Sequence, residues 1–343
     1  MTVSNLPPVV DLSNFEERKA QITEDLMKAA TTIGFFYIKG HGLEPELIDQ
    51  AFATNAQYFN QPEEAKLKLP RVDWGARKLI GFERNTVPGG SIVHESSIQC
   101  FEVHEKMKSA WPDPAVVPGY REKTIEFMQS LAPVVDKILS CLALGLGFPK
   151  DFFLEKTNVK DPDNHTFLQY HKYPSTDGLS WKEGTNRITA HTDESLITLL
   201  FTSPNSTGLE LAAGRDGKAV NSEAGEYKVD RWTPCPPLPG AITVNVGDPL
   251  QFLSDGKLLS NYHRVRMPRP GEPQDDRYSI GYFVWPRDYD VIQGPLKKYP
   301  AITMAEFMKT KGAMYGASFH PDPEVYEANQ HIAFGPPTPI AVE

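Results

Sequence analysis

Two spacing patterns of apolar residues divide the chain near residue 165. Up to that point apolar side chains recur mostly at helical intervals. Pro8-Val-Val-Asp-Leu12 reads as a short strand, and Ser13 with Glu16 then forms a capping-box pattern. Ile22, Leu26, Ala29, Ala30 and Ile33 keep the helical period until Gly34 stops it, and Phe35-Phe-Tyr-Ile38 has the pattern of a buried strand. A second helix is expected from Pro45 to Phe59, with Leu47, Ile48, Ala51, Phe52, Asn55 and Phe59 on one side. Residues 73–97 are rich in Gly, Asn, Ser and Pro and read as loop. A long helix is expected from Tyr120 to Leu146, kinked at Pro133.

Beyond residue 165 the pattern changes. Short β-branched and aromatic runs alternate with Gly, Pro and Asn turns: Thr166–Tyr173, Arg187–Ala190, Ser195–Phe201, Gly208–Ala212, Ala241–Val246, Ser260–Met267 and Tyr278–Trp285. Leu250–Leu253 reads as one more short strand, followed by a hairpin turn at Ser254–Lys257. Many short, closely spaced strands predict a sandwich or small barrel. The expected fold class is mixed α and β: a double-stranded β-helix (jelly-roll) core with a helix-rich N-terminal region and flanking helices. The expected organisation is a helix-rich region over 1–160, the jelly-roll core over 161–300, and a C-terminal helix (Met304–Tyr315) and tail over 301–343 that cover the barrel.

Composition narrows the function classes. The 343 residues carry 35 Lys and Arg against 44 Asp and Glu, a net charge of −9. An acidic chain repels phosphate backbones and anionic headgroups, so neither nucleic acid nor membrane is an expected partner. Three scattered cysteines, Cys100, Cys141 and Cys235, form no CxxC and suit a reducing compartment. With no signal-peptide pattern and no apolar run of membrane-spanning length, a cytoplasmic location is expected.

The candidate chemistry lies in the β-rich part. In a strand, residues i and i+2 share a face, so Thr189-Ala-His191-Thr-Asp193 offers an imidazole beside a carboxylate. His263, in Asn261-Tyr-His263-Arg-Val265, is the best third ligand. Two His and one carboxylate with open positions form the facial triad of non-haem Fe(II) oxygenases, whereas zinc hydrolases leave one main open position. Fourteen residues after His263, Arg277-Tyr-Ser279 places a guanidinium and a hydroxyl on one face, a receptor for a carboxylate. The phenol of Tyr173, on one face with His171, is placed to share that carboxylate.

Together with Asn245-Val-Gly247-Asp248, Pro8-Val-Val-Asp11, Gly34-Phe-Phe-Tyr37 and His41-Gly42, these motifs make nearly the whole chain resemble the 2-oxoglutarate/Fe(II)-dependent dioxygenases of the isopenicillin N synthase-like branch. The resemblance implies Fe(II) on His191, Asp193 and His263. It implies 2-oxoglutarate on Arg277, Ser279 and Tyr173, with Asn245 on the cosubstrate side. O2 is the oxidant, and succinate and CO2 are products. The implied reaction is oxidation of a small-molecule C–H bond by hydroxylation, desaturation or ring formation or rearrangement, with secondary metabolism as the setting. Plant members often carry Asn where this chain has His171. Phe283, Phe101, Phe252, His171 and His94 are the candidate substrate contacts, and the loop at 73–97 is the candidate lid. Alternatives within the fold are an isopenicillin N synthase-like oxidase without 2-oxoglutarate and an ethylene-forming enzyme. A silent jelly-roll binding protein is the remote one. Sequence leaves the substrate and the oligomeric state open.

Overall fold

The structure, a computed structural model, describes residues 6–69, 72–73, 79–86, 91–161, 164–204, 206–212, 219–221, 227–229 and 231–309, except 101–110. The N-terminal elements are β1 (Val9–Asp11), α1 (Phe15–Thr32), β2 (Phe35–Lys39), α2 (Pro45–Phe59), α3 (Glu63–Leu67), β3 (Val72–Asp73), β4 (Leu79–Thr86), β5 (Ile92–Cys100) and α4 (Tyr120–Leu146). There follow β6 (Phe167–Tyr173), β7 (Asn186–His191), β8 (Ile197–Thr202), β9 (Leu209–Ala212), β10 (Ala219–Asn221), β11 (Tyr227–Val229), β12 (Trp232–Pro234) and β13 (Ile242–Val246). The chain continues through α5 (Asp248–Leu253), β14 (His263–Arg266), β15 (Arg277–Val284), β16 (Val291–Ile292) and β17 (Ile302–Thr303).

Two sheets form the core. The larger runs β1-β2-β13-β8-β15-β6-β5-β4-β3, and the smaller runs β12-β9-β14-β7. Strands from both sides of residue 160 therefore share one sheet. Alternation along the strands assigns its two faces. Leu199, Phe201, Ile280, Tyr282 and Val244 point to the helices, where Phe127 of α4 meets the Phe201 ring edge-on at 5.2 Å. Phe35, Tyr37, Tyr173 and Leu200 point the other way and pack with Leu209, Leu211 and Val265 of the smaller sheet. By length and composition α4 could cross a membrane, yet Phe127, Leu131, Ile138 and Leu142 are fully buried in the fold.

Local chemistry explains the boundaries. Helix α1 starts at Phe15 after Asn14 in the left-handed conformation, so the expected Ser13–Glu16 capping box does not form. Ser13 N–H instead donates to Asp11 Oδ1. Gly34 ends the helix with φ +75°, and any Cβ there would collide with Leu259 O. Helix α2 occupies the expected residues, begun by Pro45 at its first turn.

Two further expectations fail. The segment 73–97 is largely the β4–β5 hairpin, which extends the large sheet through β5 and β6. The polar residues of β5 are buried: Glu95 pairs with Lys66 at 2.6 Å, and His94, Ser96 and Ser97 are almost inaccessible. Residues 87–90, the tip of the expected lid, lie outside the described residues. Leu250–Leu253 belongs to a helix, α5, not a strand, with Pro249 in its first turn. Four apolar residues in a row have no period to separate the two. Helical residues 304–309 match the start of the expected C-terminal helix, and its continuation lies outside the described residues.

Candidate active site

The interior between the two sheets has two polar ends. At one, β7 and β14 pair so that His191 stands opposite His263. Asp193 follows just past the end of β7, in the turn that carries the chain to β8. One ligand atom from each of the three residues lies within 4.8 Å of the others. Asp193 Oδ1 sits 3.6 Å from Nε2 of each histidine.

Each ligand is oriented by a neighbour. His191 Nδ1 is 2.8 Å from Thr189 O and His263 Nδ1 is 3.3 Å from Asn261 O. A carbonyl can only accept, so both Nδ1 atoms carry a proton and both Nε2 atoms are turned toward Asp193. Asp193 Oδ2 accepts from Thr198 Oγ1 at 2.6 Å and from Asn245 Nδ2 at 2.7 Å. Burial alone would raise the Asp193 pKa, but His263, His191 and these two donors outweigh it and hold the carboxyl below its usual range. The turn itself is pinned by β13 and α5. Asp248 N–H donates to Asp193 O, and Thr192 Oγ1 to Asp248 Oδ2. Gly247 packs so closely that a Cβ would meet Ser195 O at 1.8 Å. The Asn245-Val-Gly247-Asp248 motif is thus the back wall of the ligand turn, and Asn245 serves the Asp193 carboxylate.

The other end is built where β15 pairs with β6, placing Arg277 opposite Tyr173 and Ser279 opposite His171. The Arg277 guanidinium lies over the Tyr173 ring, 4.3 Å from its centroid. Ser279 Oγ is 3.5 Å from Tyr173 Oη. Among the described residues, Arg277 Nε and Nη1 are buried without a hydrogen-bond partner. A buried guanidinium with open donors is costly unless an anion completes it.

Residues 7–114 match the family described as non-haem dioxygenase in morphine synthesis, N-terminal, and residues 162–286 match the 2OG-Fe(II) oxygenase superfamily. The chain belongs to the 2-oxoglutarate/Fe(II)-dependent dioxygenases. It is 27% identical to the 2-oxoglutarate-Fe(II) type oxidoreductase ppzD of Metarhizium rileyi, over 84% of each chain. It is 28% identical to validamycin A dioxygenase of Streptomyces hygroscopicus subsp. limoneus, over 80% of this chain and 76% of that one. The fold is shared with a full-length Neurospora crassa protein solved in complex with alpha-KG and thymine, at a TM-score of 0.76 and 22% identity over 92% of this chain and 99% of that one. This dioxygenase is therefore an oxidoreductase of small molecules with Fe(II) as metal and 2-oxoglutarate as cosubstrate.

The residues fit both groups. Two neutral imidazoles and one carboxylate suit Fe(II) and leave it a net +1, which a dianionic ligand offsets. The open Arg277 donors suit that ligand's far carboxylate. Among the expected substrate contacts, Phe283 lies on the Ser279 face and stacks on Phe167 at 4.6 Å. His94 and His171 come together, but at the carboxylate end. Asn85 Nδ2 donates to His94 Nδ1 (3.2 Å), so His94 Nε2–H donates to His171 Nδ1 (2.9 Å) and leaves His171 Nε2 the protonated donor. His94 also stacks on Tyr173 at 4.9 Å. Burial and the Arg277 charge keep both rings neutral, His94 with a pKa pushed down to about 3. Phe252 is a correction: it sits in α5, stacked on Tyr299 and against Phe307 in the helical core, because the segment is helix rather than strand. Phe101 lies outside the described residues.

Three residues of this region were not foreseen. Thr198 holds Asp193. Asn55 of α2 donates to His171 O and Ser279 O and ties the helix to the strand pair. Arg187 is buried beside Tyr173, 5.7 Å from its centroid. Its place at the start of the strand expected over Arg187–Ala190, just before His191, was the available signal.

Proposed function

We propose that His191, Asp193 and His263 hold Fe(II), that Arg277, Ser279 and Tyr173 hold the far carboxylate of 2-oxoglutarate, and that the enzyme oxidises a C–H bond of a small secondary metabolite. The observation that carries this reading is the buried Arg277, unpartnered at Nε and Nη1 among the described residues, on the same sheet interior as three converging metal ligands. When bound, the iron and the 2-oxo acid supply the oxidising chemistry, with succinate and CO2 as by-products. The protein's share is placement. Arg277 neutralises and orients the far carboxylate, the ring of Tyr173 packs beneath the guanidinium, and the two Nδ1–H bonds keep the imidazoles turned to the metal. His191 is a third exposed at its side chain, while Asp193 and His263 are enclosed, so the substrate approaches from the His191 side. Phe283 is assigned to the pocket wall.

Support for a small-molecule substrate comes from the relative named for validamycin A and the neighbour solved with thymine. The test is product analysis by NMR and headspace gas with Fe(II), 2-oxoglutarate and O2, without and then with a panel of small cyclic metabolites. Slow succinate formation that accelerates with one metabolite, which gains oxygen or loses two hydrogens, is the expected result. Ethylene without added substrate would replace this reading with breakdown of 2-oxoglutarate itself. Metabolite oxidation with no 2-oxoglutarate consumed would replace it with the synthase-like reaction.

A further inference from the structure

Arg187 lies on β7 four residues before His191, in a stretch where the pairing with β14 shifts register. It is 4% exposed, so it faces the closed part of the interior and not the opening beside His191. Its Nη2 donates to Pro174 O at 2.9 Å, and its Nε is buried with no partner among the described residues. It shares the Tyr173 ring with Arg277. Two buried guanidiniums therefore converge on one phenol. Burial, and then the Arg277 charge, lower the Arg187 pKa to about 10, a sign of how poorly the pair is neutralised. The neighbouring acid, Asp276, is committed to Ser175 N–H and Lys172. His94 and His171, also at this end, are neutral and supply no counter-charge.

We infer that Arg187 is a second anchor for the far carboxylate of the cosubstrate, and that Arg187 and Arg277 together set the enzyme's selectivity for dicarboxylic over monocarboxylic 2-oxo acids. A substrate entering beside His191 does not extend to this depth, whereas the cosubstrate's far end reaches it if Arg277 holds that end. The inference rests on the Arg277 reading given above.

The test compares 2-oxoglutarate with 2-oxovalerate, which keeps the metal-binding end and has a methyl group in place of the far carboxylate. Affinities are read anaerobically on the Fe(II)-loaded protein from the metal-to-ligand absorbance band. For Arg187→Gln, 2-oxoglutarate affinity falls about 10–100-fold, the loss of one charge-assisted bond, while 2-oxovalerate affinity changes less than about twofold. Arg187→Lys, which keeps the charge, recovers most of the discrimination and serves if the Gln variant does not fold. Equal weakening of both ligands would reduce Arg187 to a prop for the Pro174 strand end and overturn the inference, as would no change in either. Arg277→Met is the separate control. If discrimination in that variant is undiminished from the wild type, the Arg277 assignment fails whatever Arg187 does.

Discussion

The two ends of the barrel interior are finished to different degrees. At the metal end the orienting bonds are already made: Asp193 Oδ2 has Thr198 and Asn245, and each imidazole Nδ1 has its carbonyl. At the carboxylate end Arg277 and Arg187 keep buried donors open. A small, compact ion gains most from ligands whose geometry is fixed in advance. A flexible dianion gains most where it brings counter-charge to buried guanidiniums whose donors are open among the described residues. The enzyme is thus pre-organised for iron and unsatisfied for its cosubstrate.

The sharpest way to break this comparison is at the ligand itself. Asp193→Ala is expected to abolish both Fe(II) binding and the cosubstrate absorbance band; a band of normal intensity would remove Asp193 from the metal. Next in size is the wall behind it. Thr198→Val, which deletes one donor to Asp193, lowers Fe(II) affinity about 10–100-fold by competition with a chelator. An unchanged affinity would show that the carboxylate needs no such support.

The neutral histidines give a pH test of the other end. His94 faces Arg277, Arg187, Tyr173, Asn85 and His171, and it stays neutral down to about pH 3. The unfolded chain takes up that proton near 6.5. Its contribution is therefore complete above pH 6.5 and is lost as pH falls from there toward 3, at about 1.4 kcal/mol per pH unit. His94→Gln should flatten the dependence of urea-unfolding stability by that one proton between about pH 6.5 and 4.5; parallel curves would mean that His94 ionises in the folded protein. The smallest effect concerns a residue outside both ends. Phe252→Leu costs about 1 kcal/mol of stability by loosened packing and leaves 2-oxoglutarate affinity unchanged. A selective loss of affinity would return Phe252 to the pocket.

The pattern of this asymmetry was partly legible in the sequence. Ligands and receptor stood out because strand parity places His191 near Asp193 and Arg277 near Ser279, and parity survives small errors in strand ends. Asp193 in fact lies past its strand, yet the turn still brings it to both imidazoles. The supporting residues were less visible. Asn55 acts across the fold, and although Thr198 lies only five residues past Asp193, nothing in the local sequence of either distinguishes it from an ordinary helix or strand residue. The β4–β5 hairpin was hidden by its polarity, since residues such as His94 and Glu95 are buried by pairing with other polar groups rather than by being apolar. Helix α5 was hidden by its brevity, although Pro249 at its start was a usable signal.

The most direct measurement is Fe(II) affinity without 2-oxoglutarate in the wild type, Asn245→Ala and Arg277→Ala. If the metal end is complete on its own, Asn245→Ala weakens iron binding about 10–100-fold and Arg277→Ala leaves it at the wild-type value. Equal loss in both variants would contradict the account, because the two ends would then form a single interdependent site.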